Sequence, residues 1–348
     1  MIKKRIICAV LVLLALLALL YFATLLFVPK YVSQSREGNL VAEYYDEIEA
    51  RNSHQVLFVG DCEVYESFVP AKLWEEYGIT SYIRGSAQQL IWQSYYLLEE
   101  MLEYDTPEVV VFNVLSMKYG EPQNEAYNRM TLDGMRWSQS KINSVKASMT
   151  DEETFASYIF PLLRFHSRWK DISKEDFEYI FTRDKVAHNG YMIQTNIKPQ
   201  ESWREGEELF DYTLPDTAFE YLDKMRELCE EKGVELILIK SPTNTWKYWW
   251  YDEWDKQIVD YAEKHGLDYY NFIGNGEIGL DWSYDTYDAG VHLNVFGAEK
   301  MTLYFGEILV EKYGIESQAD DPDVASVWSE KLEEYEKAKL DMMEESKK

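Results

Sequence analysis

The sequence predicts a three-layer α/β domain with a mostly parallel sheet, carried behind an N-terminal transmembrane helix. Three observations predict it. Short apolar, branched runs (QVLFV at 55–59, VVVFNVL at 109–115, ELILIK at 235–240) read as strands buried on both faces. Amphipathic stretches of helical length lie between them, several closed by a glycine. An uncharged run at 6–28, IICAVLVLLALLALLYFATLLFV, exceeds the roughly 20 residues that a helix needs to cross hydrocarbon.

Lys3, Lys4 and Arg5 precede that run, and Pro29 and Lys30 follow it. A cleaved signal has a shorter apolar core, about 7–15 residues, and a small-residue cleavage site. Residues 1–30 therefore read as a cytoplasmic stub and signal anchor, a cleaved signal being the alternative. Positive charge before the span places everything after residue 30 outside the cytoplasm. The formal charge of −27 over 348 residues argues against nucleic acid or anionic headgroups as partners. Cys62 and Cys229 can pair in an oxidising compartment. Free thiols are the preferred reading, because Cys229 sits within a helical pattern, FEYLDKMRELCEEKG. The five histidines are scattered without the paired spacing of a zinc site, so no metal or cofactor is expected.

Residues 31–54 read as a polar stalk with a short helix, and the domain as 55–314. Its first strand, 55–59, is followed by Gly60, a helix at 69–77 and the helix stop Gly78. A second strand, 79–83, runs into Arg84-Gly85-Ser86, and 87–104 is an amphipathic helix. Pro107 introduces the strand at 109–115. An insert, about 116–215, is aromatic and polar without clean periodicity and reads as a cap or partner surface. The alternation resumes with a helix at 216–232, strand 235–240, helix 252–265, a short strand 268–272 and a last helix at about 296–313. The tail, 315–348, reads as an acidic, solvated helix that frays. Ligands of such sheets bind beyond the carboxyl ends of the strands, so Cys62, Gly85, Asn113 and Ser241 are expected to converge.

Gly60-Asp61-Cys62 after strand one, Gly85 after strand two, and the segment DAGVHLN at 288–294 before the last helix resemble the SGNH/GDSL hydrolase family. The match is closest to its membrane-anchored bacterial branch, which includes D-alanine transfer and alginate-acetylation proteins. It covers roughly 53–115 and 233–313. The resemblance implies a flavodoxin-like α/β/α fold and acyl ester chemistry, in which a nucleophile in the first block is served by a C-terminal Asp/His pair. Cys62 stands where the family has serine. The family's aspartate stands three residues before the histidine; here that position is Ala289, which leaves Asp288 or Asp285 to orient His292. The family's Gly-x-Asn-Asp block is met only by Asn113.

A thiol at a helix N-terminus beside an imidazole can carry the same chemistry. Cys62 is expected to attack an ester carbonyl, with His292 as the base. The Cys62 and Gly85 N–H groups, with the Asn113 amide, would hold the oxyanion. Asp61 and Glu63 oppose a thiolate unless their side chains point away. The expected activity is that of an extracytoplasmic acyl esterase or O-acyltransferase on an acylated envelope or secreted glycan, or on a small ester substrate. A membrane acyltransferase is a candidate partner. The competing reading is a catalytically inactive module that grips an acylated polysaccharide or envelope protein, with Cys62 a small buried residue at a tight turn. His292 as a helix cap, Gly85 as a purely conformational glycine, Ser241 as a rival nucleophile and His166 as a visitor from the insert are the lesser alternatives. The aromatic run at 246–254 (WKYWWYDEW) can stack on sugar rings or pack on the insert.

Overall fold

Alternate residues of the central strands leave the sheet in opposite directions, and both sets meet apolar partners. The computed structural model describes residues 2–29, 36–178, 180–181, 185–200, 206–245 and 250–346. Strands β1 (Val56–Gly60), β2 (Ser81–Gly85), β3 (Val109–Asn113), β4 (Glu235–Lys240) and β5 (Asp268–Asn271) form one parallel sheet in the order 2-1-3-4-5. Val56 and Phe58, Val109 and Val111, and Ile237 and Ile239 pack on one face; Leu57 and Val59, Val110 and Phe112, and Leu236 and Leu238 pack on the other. This two-sided burial makes the strand sequences continuous in apolar character rather than alternating.

Helix α1 (Ile2–Phe27) is the apolar N-terminal helix, long enough to span a membrane and with mean hydropathy 3.1 over its best window. Helix α2 (Arg36–Ala50) is the short helix expected within 31–54, but it is not a stalk. Residues 31–35 lie outside the described residues, but Leu40, Val41, Tyr44 and Tyr45 of α2 are buried. The Arg84 guanidinium, itself fully buried, stands over the Tyr44 and Tyr45 rings and pairs with Glu100 at 2.7 Å. Helix α2 is thus part of the domain.

After β1 come the short α3 (Cys62–Ser67) and α4 (Pro70–Tyr77), and after β2 comes α5 (Ile91–Met101). A 3₁₀ turn, Val114–Lys118, continues β3. The insert holds α6 (Glu125–Leu132), α7 (Gln139–Ser148) and the short α8 (Phe155–Ile159), α9 (Leu162–Phe165) and α10 (Lys174–Glu178). Its first half packs Leu132, Met135, Val145 and Tyr158 against Val41 and Leu97. Its return limb, 185–200, enters the main core rather than capping it. Ile83 donates to the Asn189 carbonyl at 3.0 Å, and Met192 donates to that of Tyr65 at 3.1 Å.

Helices α11 (Asp216–Lys232), α12 (Asp252–His265) and α13 (Val295–Tyr313) complete the alternation, each ended by a left-handed glycine: Gly233, Gly266 and Gly314. Helices α3, α4 and α13 cover one face; α5, α11 and α12 cover the other. Helix α14 (Pro322–Glu345) corrects the expected fraying tail. Trp328 and Tyr335 are buried, Trp328 stacks on Trp74, and Lys331 forms an ion pair with Glu47 at 2.5 Å. Of the aromatic run, 246–249 lie outside the described residues. Trp250 and Tyr251 are buried and Trp254 packs edge-on against both, so these three rings serve the domain core.

Candidate active site

In a sheet ordered 2-1-3-4-5 the connections leave β1 and β3 in opposite directions, and a crevice opens beyond their carboxyl ends. Cys62 stands there. Gly60 makes the turn possible: its φ is +154°, and a Cβ would lie 2.6 Å from Val64 and 3.1 Å from Asn113. Asp61 then caps α3, accepting from the Glu63 N–H at 3.2 Å, and Cys62 opens the helix.

His292 arrives from the loop before α13. Asn294 caps that helix through the Phe296 and Gly297 N–H groups. The His292 Nε2 lies 3.2 Å from Cys62 Sγ, and its Nδ1 lies 2.7 Å from Asp288 Oδ2. Asp288 Oδ1 also accepts the His292 backbone N–H at 2.8 Å. Ala289 and Gly290, both left-handed at φ +69° and +88°, curl the chain between them. That curl brings a carboxylate four residues upstream back over the ring. Ala289 stores strain of about 1 kcal/mol to do so. The β4 loop braces it: Asn244 N–H donates to the Gly290 carbonyl at 2.8 Å, and Thr243 Oγ1 donates to it at 3.0 Å.

Of the two aspartates left open, Asp288 serves the imidazole. Asp285 is fully buried elsewhere, paired with Lys300 at 2.7 Å and accepting the Asp281 N–H at 2.7 Å. The oxyanion role expected of Asn113 is also corrected. Both its N–H bonds are committed, to Asp61 Oδ1 at 3.1 Å and Glu63 Oε2 at 3.0 Å, and its oxygen accepts the Ser241 N–H at 3.0 Å. Asn113 therefore ties β1, β3 and β4 together beneath Cys62. Gly85 pairs with Gly60 and lies against the Asp61 carbonyl; a Cβ there would meet the Gly60 oxygen at 2.8 Å. Its side-chain-free backbone lets the Cys62 turn sit down on β2. Ser241 is buried and its hydroxyl donates to the Glu63 carbonyl at 3.4 Å, away from any imidazole. His166 is exposed on the insert, with Nδ1 3.1 Å from the Leu163 carbonyl. Cys229 is a free, buried core thiol, and Cys62 is free as well.

Two residues were missed in the sequence. Glu66, one turn after Cys62 on α3, places its buried Oε2 3.4 Å from His292 Nδ1. Tyr287 donates to Glu66 Oε1 at 2.7 Å, and its ring lies beside the imidazole. The spacing of four residues is the signal that could have found Glu66, because i and i+4 share a helix face.

Glu63 points away from the sulfur. It is bound by Lys240 Nζ at 2.7 and 2.8 Å, with both groups fully buried. Asp61 is pushed up to about 7 by burial and by Glu63, against the pull of Lys118 and Lys240. Burial also pushes the Cys62 thiol up to about 11; the imidazole opposes this, and Asp61 and Glu66 add to it. For His292, burial works against the cation, but Glu66, the Cys62 sulfur once ionised, and Asp288 push the ring well above the usual range. At neutral pH the resting pair is therefore a thiol facing an imidazolium. Below its pKa the thiol predominates, and each unit of rising pH gives about tenfold more thiolate. Alkylation of Cys62 by iodoacetamide, followed by peptide mass mapping, is accordingly expected to accelerate about tenfold per pH unit above neutral and to level off near 11. A plateau already reached at pH 7 would contradict this electrostatic picture.

No protein-family model matches the chain, and no curated protein matches it. Geometry and chemistry alone carry the functional reading.

Proposed function

We propose that the chain is a membrane-anchored, extracytoplasmic acyl esterase or O-acyltransferase that works through a Cys62–His292–Asp288 triad. One observation carries this reading: Sγ, imidazole and carboxylate line up at 3.2 and 2.7 Å beyond the carboxyl ends of a parallel sheet. The 2-1-3-4-5 order, which is that of flavodoxin-like sheets, supports the SGNH-like assignment.

The mechanism follows from the protonation states. In the fraction whose Cys62 thiol has lost its proton to solvent, the thiolate attacks the ester carbonyl carbon. As the tetrahedral adduct collapses, the C–O bond breaks and the His292 imidazolium gives its Nε2 proton to the leaving alcohol. The now neutral imidazole takes a proton from water, or from an acceptor hydroxyl in transfer, whose oxygen attacks the thioester. The C–S bond breaks, and the thiolate and imidazolium are restored. Asp288 fixes the ring's tautomer and orientation throughout.

The span at 6–28, with basic residues before it, supports an anchor whose domain faces away from the cytoplasm. That placement supports O-acylated cell-envelope or secreted glycan as the substrate, with a membrane acyltransferase as the candidate partner. The raised thiol favours a second reading, a binding module that keeps the triad without turning over at neutral pH. Acetate release decides between them. The full chain in mild detergent is expected to release acetate from a small acetyl ester and from acetylated polysaccharide, faster at pH 9 than at pH 7 (about a hundredfold more thiolate). No release at either pH would leave the binding reading.

A further inference from the structure

The insert carries a concentration of exposed apolar side chains that the triad does not use. Ile159, Phe160 and Leu163 are 46, 62 and 57% exposed, and Trp169 and Phe177 are more than half exposed. Their position tells what surrounds them. Leu17, Leu20, Tyr21 and Thr24 of α1, with Val28 just after it, line a groove of about 660 Å³ whose opposite wall is the insert segment 158–163. Leu17 to Val28 spans about 16 Å of helix axis, which is half of a hydrocarbon layer roughly 30 Å thick. Side chains packed beside that stretch share its depth.

The contact is anchored as well as close. Arg168 donates to the Phe27 carbonyl at 3.0 Å, capping the last turn of α1, and pairs with Asp176 at 3.0 Å. Lys170 stands over the Trp169 ring, the aromatic and basic pairing of a headgroup boundary. The charged groups that line the groove are satisfied within the protein: Asp133 pairs with Arg129, and Lys141 donates to the Met135 carbonyl at 2.7 Å. The wall made by Ile159, Phe160 and Leu163 thus offers lipid an apolar surface, and an exposed patch of this kind needs an occupant.

We propose that the insert is a second membrane contact: Ile159, Phe160 and Leu163 are immersed in the acyl chains of the leaflet next to the domain, and the groove against α1 holds a lipid chain. This rests on α1 spanning the membrane and is independent of the chemistry at Cys62. The overall charge of −27 makes a zwitterionic lipid the appropriate probe. Full-length chain is prepared with p-benzoylphenylalanine at position 160, 163 or 104, reconstituted in phosphatidylcholine vesicles and irradiated, and its adducts are weighed. Tyr104, on the loop entering β3, is 58% exposed and so equals the other two in accessibility. Lipid adducts are expected at 160 and 163 in about tenfold excess over 104, the difference between hydrocarbon and water as surroundings. Equal adduct at all three positions overturns the proposal. Chain-to-chain cross-links in place of lipid at 160 and 163 overturn it too, and assign the face to a second copy.

Discussion

Cys62→Ala and His292→Ala are each expected to lower kcat/KM for a small acetyl ester by about 10³-fold or more, and the double variant to be no worse than either single one. The reason is that the two groups act as one device. Without the sulfur there is no covalent intermediate for the imidazolium to resolve. Without the imidazole, 3.2 Å from the sulfur, the leaving alcohol has no proton donor and the thiol loses its counter-charge. A loss of 10³ corresponds to about 4 kcal/mol of transition-state stabilisation. Additive losses in the double variant would mean that the residues work separately. Cys62→Ser is expected to retain the fold but little activity, because a hydroxyl ionises far less readily than a thiol and His292 is already protonated.

Lys240→Met is expected to destabilise the full chain by about 3–5 kcal/mol in denaturant titration, while the pair Glu63→Gln with Lys240→Met loses much less. Lys240 is the cation that binds Glu63 beneath the Cys62 turn. Its ammonium contacts both Glu63 oxygens and the Ser241 carbonyl at 2.9 Å, with no exposed surface. Removing it leaves the Glu63 carboxylate buried opposite Asp61, with the Asn113 amide between them as a shared donor. Uncompensated buried charge is costly, whereas replacing both partners by neutral groups of similar volume is not. A double variant as unstable as Lys240→Met alone would show that packing, rather than charge, holds this layer.

The parts of the fold legible in the sequence are those set by local chemistry. VLFV and VVVF are apolar at every position because both faces of β1 and β3 are covered, and the short unbroken runs, flanked by Gly60 and Pro107, identify them. Gly78, Gly233 and Gly266 end helices where they were expected, in left-handed conformation. Cys62 and His292 met across the sheet edge because each follows a recognisable strand or precedes a recognisable helix.

What was misread depended on distant partners. Residues 31–54 read as a polar stalk, yet Leu40, Val41, Tyr44 and Tyr45 recur at the helical spacing of a buried stripe. Trp328 and Tyr335, seven apart on the tail, carry the same signal for α14. Asn113 kept its place at the end of β3 but lost its expected role, because the identity of its partners, Asp61, Glu63 and Ser241, depends on three separate strand ends. Asp288 outcompeted Asp285 through a left-handed Ala289, a backbone state that no side-chain pattern announces. The return limb at 185–200 is held by backbone bonds to Ile83 and Tyr65, which leave no periodicity to read.

The central claim is that the sulfur of Cys62 takes the acyl group from an ester under the control of His292. Quenching the full chain in acid during turnover of a small acetyl ester, then weighing the intact protein and its peptides, tests it most directly. One acetyl group on the peptide containing Cys62, labile to hydroxylamine and absent in Cys62→Ala, is the predicted result. Turnover with no acyl group on that peptide, or with the label on another side chain, would contradict it.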